Sequence, residues 1–158
     1  MPLDKLDLRI LARLQADASL SSAQLAEEVG LTQSPCWRRI NLLESTGVIK
    51  RRVTLLSREK LGLGALVFVH LKLADHGGET LPALRQLCDS SPEILQCFML
   101  MGDFDYVLVV ATRDIDTYSQ FLRTRLSKVP GIREITSRVV LEEIKNTSEL
   151  PLEFALGR

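Results

Sequence analysis

Little in this sequence equips it for catalysis, metal binding or export. Its 158 residues include three cysteines, two histidines and one tryptophan. Cys36, Cys88 and Cys97 are scattered, odd in number and free of C-x-x-C spacing. Their spacing signals neither a disulfide framework nor a thiolate metal centre, and they read as small buried hydrophobes of a reducing compartment. His70 falls in a strand pattern and His76 in a turn pattern, so no Cys/His set with ligand spacing forms. No metal and no cofactor is therefore expected. No serine or cysteine has an evident base and no phosphate-binding loop occurs, so an enzyme is not expected either. Gly62-Leu63-Gly64 precedes a strand pattern instead of following one, and Val67 stands at the third glycine position, which rules out a dinucleotide fingerprint. The first ten residues, MPLDKLDLRI, lack a signal-peptide core, and no apolar run is long enough to span a bilayer. The expectation is a cytoplasmic protein with no membrane partner.

Net charge is also lacking. Twenty Lys/Arg balance twenty Asp/Glu, which removes any bulk attraction to nucleic acid. The distribution is uneven: residues 1–60 hold ten basic and seven acidic residues, and residues 61–158 hold ten basic and thirteen acidic. The positive excess sits in the first part of the chain. A hydrophobic content of 46% supplies a core, and the length suits one or two domains.

The stretch Ser21–Lys50 reads as helix, tight turn, helix. Ser21 is an N-cap candidate, Leu25 and Val29 repeat at helical spacing, and Gly30 stops the first helix. Thr32 is placed to cap the second, with Pro35 tolerated in its first turn. Cys36, Ile40 and Leu43 fall on one face, while Trp37, Arg38 and Asn41 fall elsewhere. This is the helix-turn-helix arrangement, whose second helix enters the major groove N-terminus first. Thr32, Gln33 and Ser34 suit base edges or phosphates; Arg38 and Arg39 suit phosphate or guanine. Two alternatives stay open: Trp37 as core filler, and Arg39 paired with Glu44 or Glu28. Beyond Gly47, Lys50, Arg51 and Arg52 lie within reach of flanking phosphates, or form a solvated linker.

Residues 4–17 are expected to form a helix capped by Asp4, with Leu3, Leu6, Ile10, Leu11 and Leu14 facing the other two helices. Residues 48–56 have β-type composition and read as a linking strand, closing a reader domain over 1–56. A polar hinge with a helical turn follows at 57–63, and a second domain fills 64–158. Strands are expected at 65–74, 93–101, 104–112 and 132–145, with helices at 79–89 and 115–129, and a turn at His76-Gly77-Gly78. The order β-α-β-β-α-β is the ferredoxin-like split βαβ arrangement, so the fold class is α+β: a (winged) three-helix helix-turn-helix domain and a βαββαβ domain. Leu66 and Phe68 make the sheet's second face apolar, which calls for a covering subunit.

The chain resembles the Lrp/AsnC, or feast/famine, family of transcription regulators. The resemblance rests on Leu31–Ile40 (LTQSPCWRRI), Leu43–Ile49 (LESTGVI), Leu3–Leu11, Gly102–Tyr106 (GDFDY), Val129–Ile132 (VPGI) and Val139–Lys145 (VVLEEIK). Thr32-Gln33 stands where the family usually has Ser-Pro, which leaves base preference open at Gln33. The resemblance implies double-stranded DNA as partner, dimers that assemble into tetramers or octamers, and an amino-acid effector held between subunits of the second domain. It implies effector contacts from Gly102, Asp103 and Asp105, with Phe98, Met101, Ile115 and Arg138 as further candidates. The alternative is an amino-acid-sensing regulatory subunit or an assembly module without DNA-binding function. The first would need a catalytic constellation; the second would be expected to lose Arg38 and Arg39.

Overall fold

A computed structural model describes residues 3–74 and 78–155. The described residues of 1–55 and 145–158 form one compact unit, and those of 56–144 form the other. The tail that the sequence assigns to the second domain thus belongs by its contacts to the first.

In the first unit, α1 spans Lys5–Ala16, α2 Ser22–Val29 and α3 Gln33–Ser45. Each start has a local cause. Asp4 and Asp7 form a reciprocal capping box, and so do Ser21 and Gln24. Gly30 takes the left-handed conformation (φ 72°) that ends α2, where a side chain would be strained. Thr32 occupies the N-cap position of α3 in extended backbone, but its hydroxyl makes no capping bond. Ile10, Leu25, Val29, Cys36 and Leu43 are almost fully buried and close the core. Leu152, in a short 3-10 turn at Leu152–Phe154, packs against that core, and Gln15 exchanges two hydrogen bonds with the Leu150 backbone.

The linking strand expected at 48–56 does not form. A strand needs a neighbour for its amides. This segment has none, and Val53, Leu55 and Leu56 stand exposed. The hinge does contain a helical turn: the Leu61 and Leu63 amides donate to the Ser57 and Arg58 carbonyls.

The second unit is a four-stranded antiparallel sheet in the order β2-β3-β1-β4. Its strands are β1 (Ala65–Leu73), β2 (Ile94–Met99), β3 (Tyr106–Thr112) and β4 (Ile132–Val139), with α4 (Thr80–Ser90) and α5 (Ile115–Thr124) between them. Val67, Val69 and Leu71 alternate toward Leu84 and Leu87 of α4 and Tyr118 and Phe121 of α5, so both helices cover one face. Two elements are shorter than expected. The helix predicted over 115–129 breaks at Arg125 and continues as a 3-10 turn, Leu126–Lys128. The strand predicted over 132–145 stops at Val139: Val139 pairs with Val67, the Val140 amide still reaches the Leu66 carbonyl, and β1 then runs out. The turn expected at His76-Gly77-Gly78 falls mostly outside the described residues.

Candidate functional site

The first unit builds a reading helix. With Cys36, Ile40 and Leu43 fixed in the core, the remaining face of α3 must point to solvent. Thr32, Gln33, Ser34, Trp37 and Arg38 are all exposed, Trp37 by 55%. Trp37 is therefore not core filler. The Gln33 amide nitrogen lies 3.4 Å from the Ser22 hydroxyl, leaving the α3 N-terminus open. Arg38 makes no ion pair among the described residues.

Arg39 differs from its neighbour. Its Nη1 donates to Asp7 Oδ1 at 2.7 Å and to Asp4 Oδ2 at 2.8 Å. Asp7 is buried, and the two carboxylates raise the guanidinium's affinity for its proton, Asp7 contributing most. Arg39, expected to contact DNA, is instead bonded to the start of α1, and to neither Glu44 nor Glu28; Glu28 pairs with Arg13. Arg52 pairs with Glu44 at 3.2 Å, a surface contact that costs little to break, while Lys50 and Arg51 are exposed and unpaired among the described residues.

The second unit offers a turn between β2 and β3. The Leu100 amide donates to the Asp105 carbonyl at 2.8 Å and closes the loop. Gly102 takes φ 142°, a conformation that a side chain would strain, and the space where a Cβ would stand is open. Met101 and Asp103 are exposed, and Asp103 makes no hydrogen bond or ion pair among the described residues. Asp105 is tied down. Its Oδ2 accepts the Leu73 amide at 2.7 Å, and its own amide donates to the Leu71 carbonyl at 2.9 Å. The carboxylate expected to hold an effector thus anchors the loop to the end of β1.

Phe98 and Arg138 lie on the sheet face away from the helices. The register aligns Phe98 with Val107, Val107 with His70 and His70 with Thr136, and places Arg138 opposite Phe68. Arg138 Nη1 lies 3.2 Å from His70 Nε2, and its guanidinium carbon lies 5.8 Å from the centre of the Phe104 ring. The His70 and Phe104 rings stand 5.2 Å apart. His70 and Phe104 are members of this constellation that the sequence reading missed. Phe104 sits inside the GDFDY motif, which was the available signal. Ile115 does not join the turn. It starts α5 at the far end of β3, and a seven-residue strand separates the two ends by about 20 Å. Within one chain Ile115 cannot line a pocket with Gly102.

The exposed reading helix and the βαββαβ unit together define a class: a DNA-binding transcription regulator with a ligand-binding domain. Comparison with known proteins agrees. A family model described as "Winged helix-turn-helix DNA-binding" matches residues 3–50, and one described as "Lrp/AsnC ligand binding domain" matches residues 66–150. The chain belongs to the Lrp/AsnC family of transcriptional regulators. It is 39% identical to the DNA-binding transcriptional activator DecR of Escherichia coli K12, over 96% of this chain and 99% of that one. It is 41% identical to the glutamate uptake regulatory protein of Zymomonas mobilis, over 95% and 91%. An AsnC family regulator from Agrobacterium tumefaciens superposes with a TM-score of 0.90 at 41% identity, covering 96% of this chain and 99% of that chain. A Neisseria meningitidis regulator solved as its L-Met complex gives 0.92 at 35% identity, covering 98% and 99%. No helix of the described residues is long and apolar enough to cross a membrane.

Proposed function

We propose that this regulator reads its operator with the N-terminal half of α3 and responds to an amino acid bound at the β2–β3 turn, between subunits. The observation that carries the DNA part is the exposure of Thr32, Gln33, Ser34, Trp37 and Arg38 on a helix whose opposite face is core. Phosphate contacts come from Arg38, Lys50 and Arg51; base contacts come from Gln33 and Trp37. Arg39 holds the helix in place. The alternative, a sensing subunit without DNA-binding function, is not favoured by so complete a reading helix.

For the effector, Gly102 lets a ligand approach the backbone, and Asp103 supplies for an ammonium an exposed carboxylate with no partner among the described residues. Met101 and Phe98 offer apolar surface, which favours an apolar amino acid. That the Neisseria relative was solved with L-Met supports this choice. A second copy covers the apolar sheet face of Leu66, Phe68, Phe98 and Val107, forming a dimer that builds to tetramers or octamers. Ile115 and Arg138 enter the effector site only from such a neighbouring subunit or as its surroundings. The protein works in the cytoplasm, without catalysis.

A thermal-shift screen of the amino acids tests the effector reading, because a ligand that binds only the native state raises its apparent stability. An apolar amino acid is expected to raise the melting temperature of the wild type and not of Asp103→Ala, while both retard promoter DNA. Failure of every amino acid to shift the wild type would overturn it.

A further inference from the structure

One edge of the second unit gathers sulfur. Cys88 lies in the last turns of α4, and Cys97 and Met99 lie two residues apart on edge strand β2. Cys97 pairs with Leu108 and Met99 with Tyr106, both core residues, so these two side chains share the helix-covered face while Phe98 lies on the other. Cys88, Cys97 and Met99 line one cavity of about 410 Å³, together with Leu84, Arg85 and Tyr106. The Cys88 and Cys97 thiols lie within interaction range of each other. Neither DNA reading nor the effector site uses them.

We propose that Cys88, Cys97 and Met99 form a binding site for a soft monovalent cation of the copper(I) class. Two thiolates and a thioether are soft donors, which select copper(I) over harder divalent ions. Zinc would need four ligands in a closed shell. Among the described residues no group of three or more His, Cys, Asp and Glu comes together to provide them. The cation replaces protons. Two S–H bonds break, both protons go to solvent, two metal–thiolate bonds and one metal–thioether bond form, and no electron is transferred. Once bound, the cation ties α4 to the strand that leads into the Gly102 turn.

The test is an anaerobic titration of the full-length protein with copper(I) supplied from a chromophoric chelator. The wild type is expected to withdraw one copper(I) per chain and to release protons as it does so. Cys88→Ser and Cys97→Ala should each bind at least tenfold more weakly, and Met99→Leu several-fold more weakly. Circular dichroism and retardation of promoter DNA report that each variant is folded. A wild type that takes up no copper(I), or a folded cysteine variant that keeps wild-type affinity, would overturn the site. An unchanged affinity in Met99→Leu would overturn the three-sulfur set. Intact mass two hydrogens short, with no metal bound, would make the pair a disulfide and overturn the metal assignment.

Discussion

Arg39 on the reading helix is bonded to Asp7 in α1, with Nη1 2.7 Å from Oδ1, and Asp7 is buried. The same nitrogen reaches Asp4, whose backbone amide in turn donates to Asp7 Oδ2 at 3.0 Å. Four groups on two helices thus satisfy one another. Removing the arginine leaves a buried carboxylate short of a donor, a loss on the order of 1–3 kcal/mol. Arg39→Gln should lower the unfolding free energy of the reader unit by that amount. Hydrogen exchange of the α1 and α3 amides measures it locally, which avoids assuming that two units melt as one.

Arg38 and Arg39 should also separate in salt dependence. Each phosphate neutralised by a side chain releases about one counterion, so Arg38→Gln should reduce the slope of log K against log salt by about 1. Arg39→Gln should weaken binding with the slope intact, because Arg39 faces carboxylates instead of phosphate. Gel retardation across a salt series measures both. A reduced slope in Arg39→Gln would return that residue to the contact surface.

Trp37 is the only tryptophan and is more than half exposed, so its emission reports its own surroundings. Operator DNA should quench or shift that emission, and Trp37→Ala should weaken DNA binding with little change in stability, since more than half of the residue already stands in solvent. A fluorescence titration with unchanged emission at saturating DNA would take Trp37 out of the interface.

Asp103 and Asp105 should behave as opposites. Asp105→Ala removes the acceptor of the Leu73 amide and should loosen the loop, lowering stability by about 1–3 kcal/mol. Asp103→Ala breaks no bond among the described residues, so it should leave stability within about 0.5 kcal/mol and affect only ligand response. Denaturation midpoints, read beside calorimetric titration with an amino acid that stabilises the wild type, distinguish the two.

Gly131 precedes β4 with φ 76°, and a Cβ added there would lie 1.9 Å from Thr80 Oγ1 at the start of α4. Left-handed backbone alone costs an alanine roughly 1–2 kcal/mol, and Thr80 is itself buried and must shift. Gly131→Ala should therefore be markedly more destabilising than Gly30→Ala. Gly30 has a similar φ and open space around it. Thermal melts of the two variants supply the comparison.

The sequence by itself determined whatever depends on residues close along the chain. Asp4, Ser21 and Gly30 start and stop helices through bonds to residues two to four positions away. The 3.6-residue spacing of Cys36, Ile40 and Leu43 decided which face of α3 is buried, and so which residues face DNA. Alternation in 65–73 and the order of elements carried the βαββαβ topology.

Only the tertiary structure decided the pairings. Arg39 meets Asp7 across 32 positions, and Asp105 meets Leu73 across 32, distances that no periodicity encodes. Strand ends were likewise non-local. β4 stops beside the first residues of β1, beyond which it has no neighbour in that strand, and residues 48–56 form no strand because no neighbour supplies its hydrogen bonds. Ile115 and Gly102 flank the same strand in sequence, but an extended backbone drives them to opposite ends of it. A backbone bond or a cap is fixed within a few residues; a charge finds its partner only when the fold has brought two distant segments together.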